Sequence, residues 1–225
     1  MKLEQTLAEL KDKFAKILPE SATATMEGHM EFLRQSGAVD KILKPGAKAP
    51  EFRLKNQHGE DISSVDLIKK GPLVLGFTRG SWCPFCSAEV RALNEVYDQF
   101  QQAGIELVVL SPQSLDRTQK QATAGKLKFN LLVDKDNEIG KAFGLVYTFP
   151  EDLKSVYLNV VKVDIQAVNE ATSWQLPIPA RFVIDGSGII RDVKADPDYR
   201  YRPDPSEVFD IVTKIAVEQP DASVR

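Results

Sequence analysis

Cys83 and Cys86 are the only two thiols in a chain of 225 residues, and they stand three apart. Positions i and i+3 on one helical turn bring their Cβ atoms to roughly 5–6 Å, close enough for a disulfide after a small adjustment. The stretch "GFTRGSWCPFCSAEVRAL" (76 to 93) sets the pair where a strand-like run gives way to a helix-like one, so Cys86 falls in the first turn of that helix. Free backbone N–H groups and the positive end of the helix dipole favour a thiolate there, and such a cysteine ionises below its free value of about 8.5. Pro84 suits a first turn, where its missing N–H costs no helical hydrogen bond. A structural disulfide explains the spacing poorly, because closing so short a loop removes little unfolded-state entropy. Zinc explains it less well still: His29 and His58 lie far from the cysteines in sequence and read as surface side chains, so no metal and no cofactor is expected. Two inert buried thiols are the remaining alternative. The strand-to-helix junction favours redox chemistry over all of these.

The elements that must hold this pair read as an alternation. "GPLVLGFT" (71 to 78), "IELVVLSP" (105 to 112) and "FNLLVD" (129 to 134) are strand-like. Between them Val90, Leu93, Tyr97 and Phe100 recur at helical spacing up to a capping Gly104, and a polar helix runs to about Gly125. A short helix follows near Asn137 to Phe143. Strand, helix, strand, helix, strand implies a three-layer α/β fold with parallel strands at its centre. In "RFVIDGSGIIRDV" (181 to 193) two apolar runs flank turn residues, so one edge should be an antiparallel hairpin. Residues 44 to 64 read as a linker and a hairpin turning near Asn56 to Glu60, whereas 145 to 178 give no clear pattern. Asp204, Pro205 and Glu207 open a last helix as a capping box, with Val208, Ile211, Val212 and Ile215 on its buried face.

Residues 1 to 43 read as helical, with Leu3, Leu7, Leu10, Phe14 and Ile17 on one stripe that Pro19 ends. That stripe either covers the core of the same domain or serves as a dimerisation arm in a homodimer. The expected organisation is a helical extension (1–43), an α/β domain (44–203) and a C-terminal helix (204–225) packing on it. Composition is that of an ordinary globular protein, with 43% hydrophobic and 27% charged residues and a net charge of −3. No basic stretch is interleaved with aromatics, so neither nucleic acid nor an anionic membrane is an expected partner. No apolar run approaches the ~18 residues of a membrane span. The N-terminus carries charges every few residues and lacks the apolar run of a secretory signal, so a cytoplasmic location is expected.

Trp82-Cys83-Pro84-Phe85-Cys86 resembles the active-site motif of the thioredoxin superfamily, with a middle similar to that of glutaredoxins. "LPIPARFVID" (176 to 185) resembles the superfamily's second signature and implies that Pro179 is a cis-proline before a central strand. The wider pattern of "PGAKAPEFRL", "VLGFTRGSWCPFC", "VVLSPQ", "FNLLVD" and "FVIDGSGIIRD" is similar to the peroxiredoxin-like proteins of the AhpC/TSA type, from about residue 45 to 200. The resemblance implies a thioredoxin-like fold with a mixed central sheet and a thiol-dependent peroxidase. Laid on the family's Thr-x-x-Cys and Cys-x-x-Glu pattern, Cys86 takes the peroxidatic place, Glu89 matches the glutamate and Cys83 stands where the threonine would. Arg79 replaces the proline seven residues before the cysteine, and the family's distant arginine falls near Pro179, with Arg181 two residues away.

The mechanism so implied starts with a Cys86 thiolate attacking a hydroperoxide to give a sulfenic acid. Cys83 resolves it to an intramolecular disulfide, which thioredoxin, glutaredoxin or glutathione reduces. Arg79 is the local candidate for stabilising negative charge, against the alternative of a solvated loop arginine. Arg181 stands between the same role and a place at a strand-edge surface. A thioredoxin-like disulfide reductase would turn the cysteines round, with Cys83 attacking, Cys86 resolving and Trp82 in the docking surface or in the core. A non-catalytic interaction module of the same fold is the third reading. "DPDYRYRPDP" (196 to 205) either shapes a mouth beside the site or is a surface connector.

Overall fold

Strand alternation sorts the apolar run after Pro72 into two faces. In the computed structural model, which describes residues 3–218, that run is β3 (Leu73–Phe77), with all five residues buried. Leu73, Leu75 and Phe77 join one apolar core, and Val74 joins another on the opposite side of the sheet. A strand buried on both faces needs helices on both. The sheet has the order β5-β4-β3-β8-β9, where β4 is Glu106–Ser111, β5 Asn130–Val133, β8 Ala180–Ile184 and β9 Ile190–Ala195. β3, β4 and β5 are mutually parallel; β8 runs antiparallel to β3, and β9 antiparallel to β8. The mixed sheet expected from the alternation and the 181–193 hairpin is therefore present.

Helix α4 (Pro84–Gln102) leaves the sulfur turn and buries Val90, Leu93 and Phe100 on the Val74 face, beside Val208 and Ile215 of α9 (Glu207–Glu218). Gly104, at φ +67°, makes the left-handed turn that returns the chain to β4. The start of α9 is reciprocally capped: Asp204 N–H donates to Glu207 Oε1 at 3.1 Å and Ser206 N–H to Asp204 Oδ1 at 2.9 Å. The expected end of this helix, 219–225, lies outside the described residues, as do residues 1 and 2 of the N-terminal extension. Helices α5 (Leu115–Gly125) and α6 (Glu138–Ala142) follow β4 and β5. Ahead of β3, the hairpin of β1 (Arg53–Lys55) and β2 (Asp61–Ser63) turns where Asn56 Oδ1 accepts from the His58 and Glu60 N–H groups, and α3 (Ser64–Ile68) follows it.

The N-terminal helices α1 (Leu3–Ile17) and α2 (Glu20–Gln35) meet at Pro19. Leu3 and Leu7 bury against Cys83, Phe85 and Cys86, so the stripe covers this chain's own cysteine turn. Its last member departs from the expectation: Ile17 is 60% exposed. The segment without a sequence pattern consists of pieces too short to show one. β6 (Val146–Thr148) pairs antiparallel with β7 (Gln175–Pro177). Between them stand α7 (Glu151–Val156), a π-helical turn (Tyr157–Val161) and α8 (Ile165–Asn169). Phe149, Leu153, Tyr157, Ile165 and Leu176 form a small core with Met26 of α2.

Two expectations are corrected here. Pro179 joins β7 to β8 in trans, and the described residues contain no cis peptide bond. The chain passes from β7 to β8 without a turn, with Ile178 N–H on Leu145 O at 2.9 Å, and trans is the lower-energy X–Pro isomer by about 0.5–1 kcal/mol. His29 is half-buried rather than on the surface, with its ring 5.4 Å from Tyr147 and 6.4 Å from Phe149; His58 is exposed. No helix among the described residues is long and apolar enough to cross a membrane.

Candidate active site

β3 delivers the chain to a tight loop, and three hydrogen bonds fix it. Cys83 N–H donates to Gly80 O at 3.1 Å, Ser81 N–H to Gln113 Oε1 at 2.8 Å, and Ser87 Oγ to Ser81 O at 3.0 Å. Gly80 sits at φ +127°, and a Cβ there would lie 2.7 Å from Trp82 Nε1, so only glycine lets the indole fold over the loop. Cys83 is the N-cap of α4, Pro84 its first residue, and Cys86 lies in its first turn, as the spacing implies. Both cysteines are free, Cys83 1% exposed and Cys86 0%.

Two buried arginines flank the sulfurs. Arg202 Nη2 donates to Cys86 Sγ at 3.1 Å, and Arg202 Nε to Glu89 Oε2 at 2.5 Å. Its Nη1 donates to the carbonyls of Tyr199 and Tyr201, both at 2.6 Å, which folds the 196–205 segment back onto the site. The backbone N–H of Arg79 also reaches Cys86 Sγ, at 3.4 Å. The Arg79 side chain turns the other way: Nη1 lies 3.9 Å from Cys83 Sγ and Nη2 donates to the Tyr157 hydroxyl. Its guanidinium carbon is 4.2 Å from the Tyr199 ring centre, 4.9 Å from that of Trp82 and 5.5 Å from that of Tyr157. Among the described residues no carboxylate lies within ion-pair range of Arg79.

Burial works against ionisation of either thiol. It is outweighed at Cys83, whose pKa falls to about 5, by the hydrogen bond from Cys86 and by the charges of Arg79 and Arg202. Cys86 is pushed up by burial and by the hydrogen bond and charge of Cys83. The pair thus sheds one proton easily and keeps the second, a property of the two sulfurs together. Burial raises the Glu89 carboxyl to about 7, with Arg202 pulling it down and Cys86 adding to the rise. It also raises the Tyr157 hydroxyl, which remains a hydrogen-bond donor at neutral pH.

A cavity of about 380 Å³ opens over Cys83. Arg79, Trp82, Tyr157 and Tyr199 line it beside that sulfur; Phe14, Ile17, Leu18 and Met26 of the N-terminal helices and Val160, Val161 and Val163 wall it. Cys86 is not among the lining residues. The space suits a small reactant with an apolar substituent, whose polar end would meet a thiolate, a guanidinium and a phenol.

Of the residues singled out in the sequence, Cys83, Cys86, Arg79, Trp82 and Pro84 come together here. Arg79 is not solvated but 1% exposed. Arg181 is also buried, at 3%, rather than at a surface edge, and it lies away from the sulfurs: Nη1 donates to Asp204 O at 2.8 Å and Nη2 is 3.5 Å from Glu207, tying β8 to α9. Pro179 borders a crevice with Glu89 and Arg202. Arg202, Tyr157 and Tyr199 were not singled out. The one signal for Arg202 and Tyr199 is the density of charge and aromatics in "DPDYRYRPDP", which shapes the site rather than merely connecting elements.

Comparison with known proteins gives a consistent result. The sequence profile of the AhpC/TSA family matches residues 45–193. The chloroplastic peroxiredoxin Q of Sedum lineare is 33% identical over 121 residues, covering 54% of this chain and 62% of that one, so less than two thirds of the relative's length is spanned. The thiol-disulfide oxidoreductase ResA of Bacillus cereus is 27% identical over 175 residues, 76% of this chain and 83% of the relative. Among solved structures, the peroxidoxin BcpB of Mycobacterium tuberculosis superposes with a TM-score of 0.60 at 19% identity, over 77% of this chain and 98% of that one, which shows a shared fold.

Proposed function

The chain belongs to the AhpC/TSA family, and on that premise we propose that it is a thiol-dependent peroxidase whose redox pair is Cys83 and Cys86. The observation that carries the reading is that Cys83 lines the cavity with Arg79 and Tyr157 beside it, while Cys86 lies behind it. The Cys83 thiolate attacks the terminal oxygen of a hydroperoxide: an S–O bond forms, the O–O bond breaks, and the alkoxide leaves and takes a proton. Arg79 and Tyr157 donate hydrogen bonds to the departing oxygen, where negative charge develops. Cys86 then attacks the Cys83 sulfenic acid, releasing water and closing the disulfide. Two external thiol groups, from one dithiol of the thioredoxin or glutaredoxin class or from two glutathiones, restore the dithiol. This assigns the two sulfurs the roles opposite to those implied by the family pattern. Glu89 holds Arg202, and Arg202 holds the resolving sulfur. A cytoplasmic setting, where thiols stay reduced between turnovers, fits the cycle.

A dimedone-type sulfenic acid trap with mass spectrometry tests it, after one equivalent of cumene hydroperoxide. Cys86→Ser should accumulate sulfenic acid on residue 83, and Cys83→Ser should not react. The reverse pattern would support a second reading, with Cys86 attacking first, which is favoured by the convergence of Arg202 and the Arg79 N–H on its sulfur. The ResA relative favours disulfide exchange by the same Cys83 nucleophile. Rapid reduction of insulin disulfides with negligible consumption of peroxide would move the conclusion there.

A further inference from the structure

Arg79 is a buried cation whose counter-ion is not a carboxylate. Arg202 has Glu89 at 2.5 Å. Arg79 is packed against the rings of Tyr199 and Trp82, with its Nη1 3.9 Å from Cys83 Sγ. A buried charge is tolerated when another charge compensates it, and the anion at hand is the ionised cysteine pair. In the reduced protein above about pH 7, where Glu89 is ionised, the count is even: Arg79 and Arg202 face Glu89 and one thiolate. In the disulfide Glu89 alone faces both arginines.

We propose that the reduced cysteine pair is the counter-ion of Arg79, and that closing the disulfide strands this charge, making the pair a strong oxidant. The inference rests on Cys83 and Cys86 cycling between dithiol and disulfide, and is independent of which sulfur meets the peroxide. The other groups facing the site do not replace the lost anion. Tyr147 of β6, Tyr157 of the π-helical turn and Tyr199 are all raised by burial and stay neutral at pH 7. His29 of α2 is lowered by burial and supplies no anion. Helix α1 presents Leu3 and Leu7, which are apolar.

The chemistry that consumes the disulfide is therefore oxidation of thiols, down to an unassisted monothiol. One glutathione thiolate attacks a sulfur, the protein S–S bond breaks, and a mixed disulfide forms. A second glutathione then releases glutathione disulfide. Two electrons pass to the protein, whose pair emerges as one thiol and one thiolate, and one proton goes to solvent. The equilibrium constant for this exchange consequently rises about tenfold per pH unit while the pair is singly ionised and Glu89 is ionised in both forms, and more slowly below about pH 7, where Glu89 holds a proton in the reduced protein. A pair that is fully protonated over the same range shows no slope.

Titration in glutathione buffers from pH 6 to 8, read by alkylation and mass shift, tests the inference. The wild type should rise at least tenfold over the two units, most of it above pH 7, where Glu89 no longer takes up the released proton. At pH 7 its constant should exceed that of Arg79→Gln at least tenfold, or about 30 mV, and Arg79→Lys should recover most of the difference. A purely structural Arg79 would move neither the slope nor the constant. Should Arg79→Gln not fold, the wild type decides alone: at pH 7 the reduced protein should melt at a higher temperature than the disulfide form. A flat titration, a constant unchanged by Arg79→Gln, or an oxidised form that melts higher overturns the proposal. No peroxide enters these measurements, so a protein inert to hydroperoxides can still pass them.

Discussion

Arg202 and Arg79 stand on opposite sides of one pair of sulfurs, and their surroundings differ in kind. Arg202 is held by a carboxylate and two carbonyls, partners that closing a disulfide would not consume. Arg79 is held by aromatic faces, a phenol and the Cys83 sulfur, and it borders the cavity. On the proposed cycle, a buried charge with its own fixed partner belongs to the scaffold, whereas one whose partner is consumed in the reaction belongs to the chemistry.

The largest test of this contrast is Arg202→Leu, which strands Glu89 in the interior. It should cost about 3–5 kcal/mol of stability, read from urea unfolding of the reduced protein. Arg79→Leu should instead leave most of the stability and lower the rate of peroxide reduction by about 10²–10³, the scale for losing a donor to a developing oxyanion. Equal stability losses would erase the distinction. Glu89→Gln sharpens it through pH. Glu89 holds its proton up to about 7 when folded, against roughly 4.3 unfolded, so this group makes stability fall as pH rises between those values. The cysteine pair acts in the opposite sense: its first step, at about 5, gives stability that is complete above the free thiol value of about 8.5 and is lost as pH falls toward 5. Glu89→Gln should therefore steepen the rise in stability of the reduced protein from pH 5 to 7, by about 1–3 kcal/mol over the interval. Tyr157→Phe, which removes one hydroxyl from the Arg79 side, should slow peroxide reduction about tenfold with little change in unfolding. Smallest is Ile17→Ser at the cavity mouth. At 60% exposure it should alter stability by no more than about 0.5 kcal/mol, while raising KM for cumene hydroperoxide and leaving that for hydrogen peroxide unchanged.

Local signals carried the sheet. The runs at 73–77, 106–111 and 130–133, the helix of Val90, Leu93 and Phe100, and the hairpin turning at Asp185 to Gly188 all follow from periodicity and turn chemistry between near neighbours. The cysteine turn was legible for the same reason, since its geometry is that of one helix start. Arg202 was not, because its partner Cys86 is 116 residues away and no periodicity records that contact. Tyr157 meets Arg79 across 78 residues from a segment of pieces too short for a pattern. The burial of Arg79 was hidden too, since it depends on rings from the 78–82 loop, the π-helical turn and the 196–205 segment. Pro179 shows the limit of motif matching: the signature fits, and the backbone there has no reversal to make.

The stretch matched to the family begins at residue 45, yet Phe14, Ile17, Leu18 and Met26 all stand upstream of it. Part of the cavity wall is thus encoded outside the stretch shared with the family. Redesign at Ile17 and Leu18 can retune which molecules arrive, provided Leu3 and Leu7 keep their cover over the sulfurs.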